Sequence, residues 1–194
     1  MAVGKRRPID FTRELTKVAL AGSLFHAADF RWVMPLQKWK ETVVTNLESK
    51  IVACPSCAGL NRVPSAKLGA GGKCGKCHGP LFTGLPVTLT AANFDAHATK
   101  SNIPLLVDFW AGWCGPCRQM APAFSAAAAQ LEPDFRLGKL DTEAEQAIAG
   151  RYQVRSIPLL VIIHGGRELA RQAGAMPAHA IAAWARQAAG LRQL

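Results

Sequence analysis

From residue 86 onward, apolar and polar positions alternate between the two periods of regular secondary structure. Residues 104–110 are apolar apart from Asp108, which predicts a buried strand over 105–110. Residues 124–131 are alanine-rich and helix-forming, so a helix opens a few residues after that strand. Shorter patterns predict a strand over 87–90, a helix over 92–99 and a strand over 135–140. A helix is expected over 142–152, with Thr142 as its cap. Strands over 159–164 and 167–173 form a hairpin turned at Gly165-Gly166, and a helix over 178–191 closes the chain. Helices between most strands imply an α/β fold, a mixed central sheet covered on both faces. Pro122 should kink the helix it interrupts. Met176, Trp184 and Tyr152 are expected to pack inside, and His97 and His164 to lie at the surface or at caps.

Upstream the pattern changes. Residues 51–85 hold four basic and no acidic residues and are too few to bury a core alone. Residues 1–50 hold one apolar patch, Val18 to Phe25, which follows Lys5-Arg6-Arg7. That patch is too short to span a bilayer. Asp10 and Glu14 interrupt what a signal peptide would need as an unbroken apolar core. The expected parts are an N-terminal extension (1–50, poorly ordered or partly helical), a metal-binding module (51–85) and a main domain (86–194). An amphipathic helix using Phe11, Leu15 and Val18, anchored by Trp32 and Trp39, is the other reading of the extension. Part of the extension is expected to be absent from the mature protein.

The formal charge of the 194 residues is +10. It divides as +4 over 1–50, +4 over 51–85 and +2 over 86–194. The part that builds the main core is nearly neutral, which argues against a nucleic-acid-binding main domain. The basic middle part offers only Phe82 for base stacking.

All six cysteines fall in Cys-x-x-Cys pairs. Cys54/Cys57 and Cys74/Cys77 are 16 residues apart, a spacing that reads as a four-cysteine zinc site. Pro55, Gly71, Gly72, Gly75 and Gly79 permit the turns this requires. Two disulfides, or an iron–sulfur cluster, remain the alternatives. His78 adjoins the fourth cysteine, but four thiolates already complete a shell, so it is expected at the surface.

The third pair, Cys114 and Cys117, lies where a strand ends and a helix begins. A helix N-terminus stabilises a thiolate and lowers its pKa. Cys114 comes first and is expected to be the exposed nucleophile; Cys117, on the same helical face, can reach its sulfur. Pro116 fits in a first helical turn. A buried structural bridge is the alternative. Asp108, a carboxyl in an apolar strand, should have a raised pKa. It is either a proton acceptor for the buried thiol or a salt-bridged structural residue. Lys139 is the candidate charged partner from a neighbouring strand, or simply a strand-edge lysine.

Trp113-Cys114-Gly115-Pro116-Cys117, preceded by Val107-Asp108-Phe109-Trp110-Ala111, resembles the thioredoxin family. Lys139-Leu140-Asp141, Ile157-Pro158 and Gly174-Ala175 recur in the family's order, so the resemblance covers 86–194. With the upstream cysteine pairs, Asn61-Arg62-Val63-Pro64 and Leu81-Phe82, residues 51–194 resemble the zinc-binding bacterial thioredoxin 2 type. The resemblance implies a thioredoxin fold preceded by a small four-cysteine zinc-ribbon-like module. It implies a protein-disulfide reductase in which Cys114 attacks, Cys117 resolves, Asp108 assists Cys117 and Lys139 modulates Asp108. Pro158 would be the cis-proline facing the sulfurs. Trp113, Gly115, Pro116, Ile157, Pro158 and Gly174 would border the client. Cys54, Cys57, Cys74 and Cys77 would hold one structural zinc ion, with no organic cofactor bound directly. The implied partners are protein clients with disulfides and an NADPH-linked thioredoxin reductase. Neither nucleic acid nor stable membrane insertion is expected, and the protein would be a cytoplasmic monomer. A zinc-controlled redox sensor or holdase chaperone is the alternative function. Leu159 departs from the family's usual threonine beside the groove, and His179 stands where many members have glycine.

Overall fold

Leu105, Leu106, Val107 and Phe109 are fully buried, because the strand that carries them is paired on both edges and covered on both faces. The computed structural model describes residues 48–190. In it this strand, β4 (Leu105–Trp110), is the centre of a five-stranded sheet. The other strands are β3 (Val87–Leu89), β5 (Arg136–Asp141), β6 (Leu159–His164) and β7 (Arg167–Ala173), in the order β3-β5-β4-β6-β7. The pairs β3–β5 and β4–β5 are parallel, and β4–β6 and β6–β7 antiparallel. The helices are α1 (Phe94–Ala98), α2 (Gly115–Leu131), α3 (Gln146–Arg151) and α4 (Ala178–Ala188).

Alternation along β4 separates two cores. Leu105, Val107 and Phe109 pack with Leu89, Phe94, Leu140, Ile148, Val161 and Tyr152 on one face. Leu106 packs with Leu137, Leu160, Ile162 and the inner sides of α2 and α4 on the other. Asp108 and Trp110 continue the second series. Each large apolar side chain buried in these layers contributes about 1.5–3 kcal/mol. Gly138 permits the approach of β3 to β5: a Cβ there would lie 2.5 Å from Leu89 Cδ1. Gly165 and Gly166 have φ of 56° and 76°, the backbone that a two-residue hairpin turn needs.

Ahead of this sheet, β1 (Ser49–Ala53) and β2 (Leu60–Pro64) form an antiparallel ribbon that carries the first cysteine pair at its turn. The ribbon begins at Ser49, so it crosses the boundary expected at 50. It is seated on the main domain by reciprocal bonds: Ile51 N–H donates to Asn102 Oδ1 at 2.7 Å, and Asn102 N–H to Ile51 O at 2.7 Å. Ile103 completes a third core with Val52, Cys54, Val63, Leu68, Cys74 and Leu81. Arg136, 1% exposed, pairs with Glu132, donates to Leu81 O and lies 5.0 Å from the Phe82 ring centroid. Glu132 Oε2 accepts N–H groups from Thr83 and Gly84.

Several expectations change. The helix expected over 142–152 contracts to α3, and Thr142 does not cap it. Thr142 instead donates its N–H and its hydroxyl to Trp110 O, at 2.9 and 3.1 Å, tying the loop to the end of β4. His97 is buried, 1% exposed, because the short α1 turns Phe94, His97 and Ala98 inward together. His164 is exposed as expected. Tyr152 is buried, and Met176 and Trp184 are half-buried against the second core. No element boundary falls at Pro122, which lies inside α2. The readings placed on residues 1–47, the apolar patch and tryptophans among them, lie outside the described residues. Among the described residues no helix is long and apolar enough to cross a membrane.

Candidate functional site

The strand-to-helix junction after β4 shapes the first site. Cys114 is the N-cap of α2, with extended backbone (φ −74°, ψ 104°), and its sulfur accepts the Cys117 N–H at 3.2 Å. A sulfur in that position satisfies one of the helix's free donors and lies at the positive end of its dipole. Gly115 and Pro116 follow in the first turn, where the missing N–H of proline costs nothing. Arg118 Nη1 donates to Gly112 O and closes the loop that leads into the helix. Cys114 and Cys117 are joined as a disulfide. The expectation of an exposed Cys114 is corrected in this oxidised state: Cys114 is 3% and Cys117 1% exposed, and the side chain that stands out is Trp113, at 67%.

Asp108 lies on the sheet face that α2 covers. It is fully buried, and neither carboxyl oxygen has a hydrogen-bond partner. Burial raises its pKa from 3.8 to about 7, against a smaller downward pull from Lys139. Lys139 is its direct neighbour across the parallel pair β4–β5. No ion pair between them occurs among the described residues. The Lys139 ammonium lies 4.4 Å from the centroid of the Trp110 ring instead.

The Ile157–Pro158 peptide bond is cis, as is Glu132–Pro133, and Ile157 shares a cleft with Trp113, the neighbour of Cys114. Gly174, with φ +92°, donates its N–H to Pro158 O at 3.0 Å, joining the end of β7 to the start of β6. A cleft of about 570 Å³ opens there, lined by Trp113, Ile157, Thr142, Gln146, Val154 and Arg155, among others. Of the residues expected to border a client, Trp113 and Ile157 line this cleft, whereas Gly115, Pro116, Pro158 and Gly174 do not. Gln146 and Arg155 carry no local signal in the sequence, and Thr142 reads there only as a helix cap. Leu159 does not form a rim. It is 5% exposed and packs into the first core. His179 is exposed in α4 and is not part of the cleft.

The four upstream cysteines form a second site. Two knuckles repeat one backbone pattern: Ala58 N–H to Cys54 O and Cys54 N–H to Gly59 O, then His78 N–H to Cys74 O and Cys74 N–H to Gly79 O. Ala58 and His78 both take positive φ, 55° and 61°. The four sulfurs lie within 4.8 Å of one another. Across the knuckles, Cys54–Cys77 and Cys57–Cys74 are 3.6 and 3.7 Å apart. Tetrahedral thiolates about 2.3 Å from a zinc ion would stand about 3.8 Å apart, so the donor set fits that ion. The spacing also excludes disulfides among these four cysteines in this state. Asn61 supports both knuckles. Its Nδ2 donates to Gly59 O (2.8 Å) and toward Cys74 Sγ (3.6 Å), and its Oδ1 accepts from Gly75 N–H at 2.8 Å. Backbone donors at Cys77 and Lys76 hold the Cys74 thiol down, to about 6. His78 is exposed and outside the cluster.

Comparison with known proteins converges on both sites. The family described as thioredoxin matches residues 85–187, and the zinc ribbon described as thioredoxin 2, N-terminal, matches residues 53–79. Thioredoxin C-3 of Corynebacterium nephridii is 41% identical over 134 residues, 69% of this chain and 92% of that protein. A bifunctional thioredoxin reductase/thioredoxin of Mycobacterium leprae is 39% identical over 92 residues, 47% of this chain and 20% of that protein. Among solved structures, a thioredoxin variant from Halobacterium salinarum NRC-1 superposes with a TM-score of 0.51 at 25% identity, covering 58% of this chain and 96% of that one.

Proposed function

The chain belongs to the thioredoxin family and is a protein-disulfide reductase; from that premise we propose that Cys114 and Cys117 are its working dithiol, with Asp108 as the proton carrier. The observation that carries this reading is the Cys114 sulfur at the N-cap of α2, accepting the Cys117 N–H. In the reduced protein that site stabilises a Cys114 thiolate. The thiolate attacks one sulfur of a client disulfide, the client S–S bond breaks, and the departing client sulfur takes a proton from solvent. Cys117 then gives its proton to ionised Asp108 and attacks Cys114. The mixed disulfide breaks, the second client sulfur leaves as a thiolate and takes a proton from solvent or from Asp108, and the chain is left with the Cys114–Cys117 bond. Asp108 suits this exchange because a pKa of about 7 lets it take and release a proton near neutrality.

The working unit is a single chain, since both cysteines, Asp108 and the cleft come from one polypeptide. The client binds along the cleft beside Trp113 and Ile157, and reaches past it toward Gly115, Pro116, Pro158 and Gly174. Electrons return from NADPH through a thioredoxin reductase, and the protein works in the reducing cytoplasm. Residues 86–194 form the redox domain, and the module that begins with β1 binds one zinc ion through Cys54, Cys57, Cys74 and Cys77. Zinc there supplies a structural cross-link for a segment too small to fold on a core of its own. The dithiol cycle uses no atom of that cluster. Insulin-disulfide reduction coupled to NADPH and thioredoxin reductase tests the proposal. Cys114→Ser is expected to abolish turnover, and unchanged turnover would overturn it.

A further inference from the structure

On the face of the sheet covered by α2 and α4, β4 presents Leu106, Asp108 and Trp110, and β5 presents Leu137, Lys139 and Asp141. Lys139 is paired directly with Asp108, and Trp110 is one pair along the same face. The lysine therefore has two partners within reach, a carboxylate and an indole. It takes the indole, at 4.4 Å from the ring centroid. Both Asp108 oxygens stay unpartnered. The ring can hold the ammonium because an indole face attracts a cation whatever the state of the neighbouring carboxyl. Its own backbone is fixed: Trp110 O accepts two bonds from Thr142, which keeps the end of β4 in place beneath the dithiol loop.

We propose that Trp110 is a positioning residue of the dithiol centre: its indole holds the Lys139 ammonium off the Asp108 carboxyl and so keeps Asp108 able to carry a proton. The proposal rests on the reading of Asp108 as the proton carrier of Cys117. Few other groups compete for control of Asp108. On β5 the next charge is Asp141, one pair further along. On β6 the neighbour is Leu160. From α2 the inward residues are Cys117, Met120 and Phe124, of which Cys117 alone titrates, and only when reduced. From α4 they are Ile181, Ala182 and Ala185. Burial sets most of the shift, and Lys139 is the charge whose field reaches the carboxyl, so its placement tunes the acidity that burial leaves. A cation released to ion-pair distance would make Asp108 more acidic by about one to three units. Asp108 would then be too weak a base to take the Cys117 proton readily near neutral pH.

The test is the carboxyl-carbon NMR titration of Asp108 in the oxidised full-length protein, the state in which Cys117 does not titrate. Wild type, Trp110→Phe and Trp110→Leu are compared, each with Lys139 and with Lys139→Met. With Lys139 present, the midpoint is expected to fall by about one unit or more in Trp110→Leu, with Trp110→Phe in between. With Lys139→Met, the three midpoints should coincide at or above the wild-type value. An unchanged midpoint in Trp110→Leu overturns the proposal. So does a fall of equal size in the Lys139→Met background, since the ring would then act only by excluding water. If Trp110→Leu fails to fold, the same comparison with Trp110→Phe decides. A separate arm follows the pH profile of insulin reduction by Asp108→Asn. A wild-type profile there sinks the proton-carrier reading of Asp108, whereas the titration alone judges Trp110.

Discussion

Asparagine at position 108 would keep the size of the side chain and remove its titration, which makes Asp108→Asn a direct gauge of what the buried carboxyl does to stability. In the unfolded chain Asp108 loses its proton near 3.8; in the folded chain burial delays that loss to about 7. Between those pH values the folded state binds more protons, so stability falls as pH rises. At about 1.36 kcal/mol per unit, roughly three units amount to about 4 kcal/mol, fully present below 3.8 and lost above 7. His97 pulls the other way. Burial first, and the Arg136 charge second, lower its pKa from 6.5 to about 4. The unfolded state then binds the extra proton, and stability falls as pH drops through 6.5 toward 4, by about 3 kcal/mol. The two slopes overlap and offset one another, so a wild-type scan shows neither. The difference between wild type and Asp108→Asn cancels His97. Urea unfolding of the oxidised proteins from about pH 4 to about pH 9 should show the variant gaining about 4 kcal/mol on wild type, most of it by pH 7, with a plateau above. A difference that does not change with pH would refute the reasoning, because it would mean the carboxyl is hydrated in the folded state.

Arg136→Met leaves Glu132 buried without its cation, and denaturant unfolding should show a loss of about 3–5 kcal/mol. Adding Glu132→Gln, which removes the orphaned charge and still accepts from Thr83 and Gly84, should recover part of that loss. Gly138→Ala forces a methyl to 2.5 Å from Leu89 Cδ1 and 2.7 Å from its Cγ, and should cost about 1–3 kcal/mol in the same assay. Zinc removal from the oxidised protein should expose the four cluster thiols to a thiol reagent and lower the thermal midpoint of the module, both reversed by zinc. Asn61→Ala, which removes the bonds to both knuckles, should weaken zinc binding about 10–100-fold in a competition titration.

What the sequence disclosed follows from how local each cause is. The β6–β7 hairpin was legible because two adjacent glycines in left-handed backbone specify the turn by themselves. The central strand was legible because a strand buried on both faces must be apolar throughout, and Asp108 stood out against that run for the same reason. The two metal knuckles were visible as spacing, since a Cys-x-x-Cys turn closes within its own residues. Where the cause lies far along the chain, the reading failed. Thr142 has the right type for a cap, but Trp110 O, 32 residues earlier, takes its hydroxyl. His97 reads as a surface residue until the sheet beneath α1 is known. Leu159 reads as a rim residue until the pleat of β6 turns it into the core. Arg136, at the start of β5, and Glu132, just past the end of α2, carry no local sign that they are buried. Their burial comes from the backbone of residues 81–84, which no local pattern places beside them. Lys139 reads as a charged partner for Asp108 from a neighbouring strand, and β5 does place it opposite Asp108, but its choice of the Trp110 ring is a matter of side-chain direction that composition does not carry.

The central claim is the order of sulfur chemistry at the head of α2, and a trapped intermediate tests it most directly. Cys117→Ser, reduced and mixed with a disulfide-containing client peptide, should accumulate a mixed disulfide that peptide mass mapping places on Cys114 alone. The same variant carrying Cys114→Ser as well should form no adduct. An adduct on Cys54, Cys57, Cys74 or Cys77 in the zinc-loaded protein, or none on Cys114, would contradict the account.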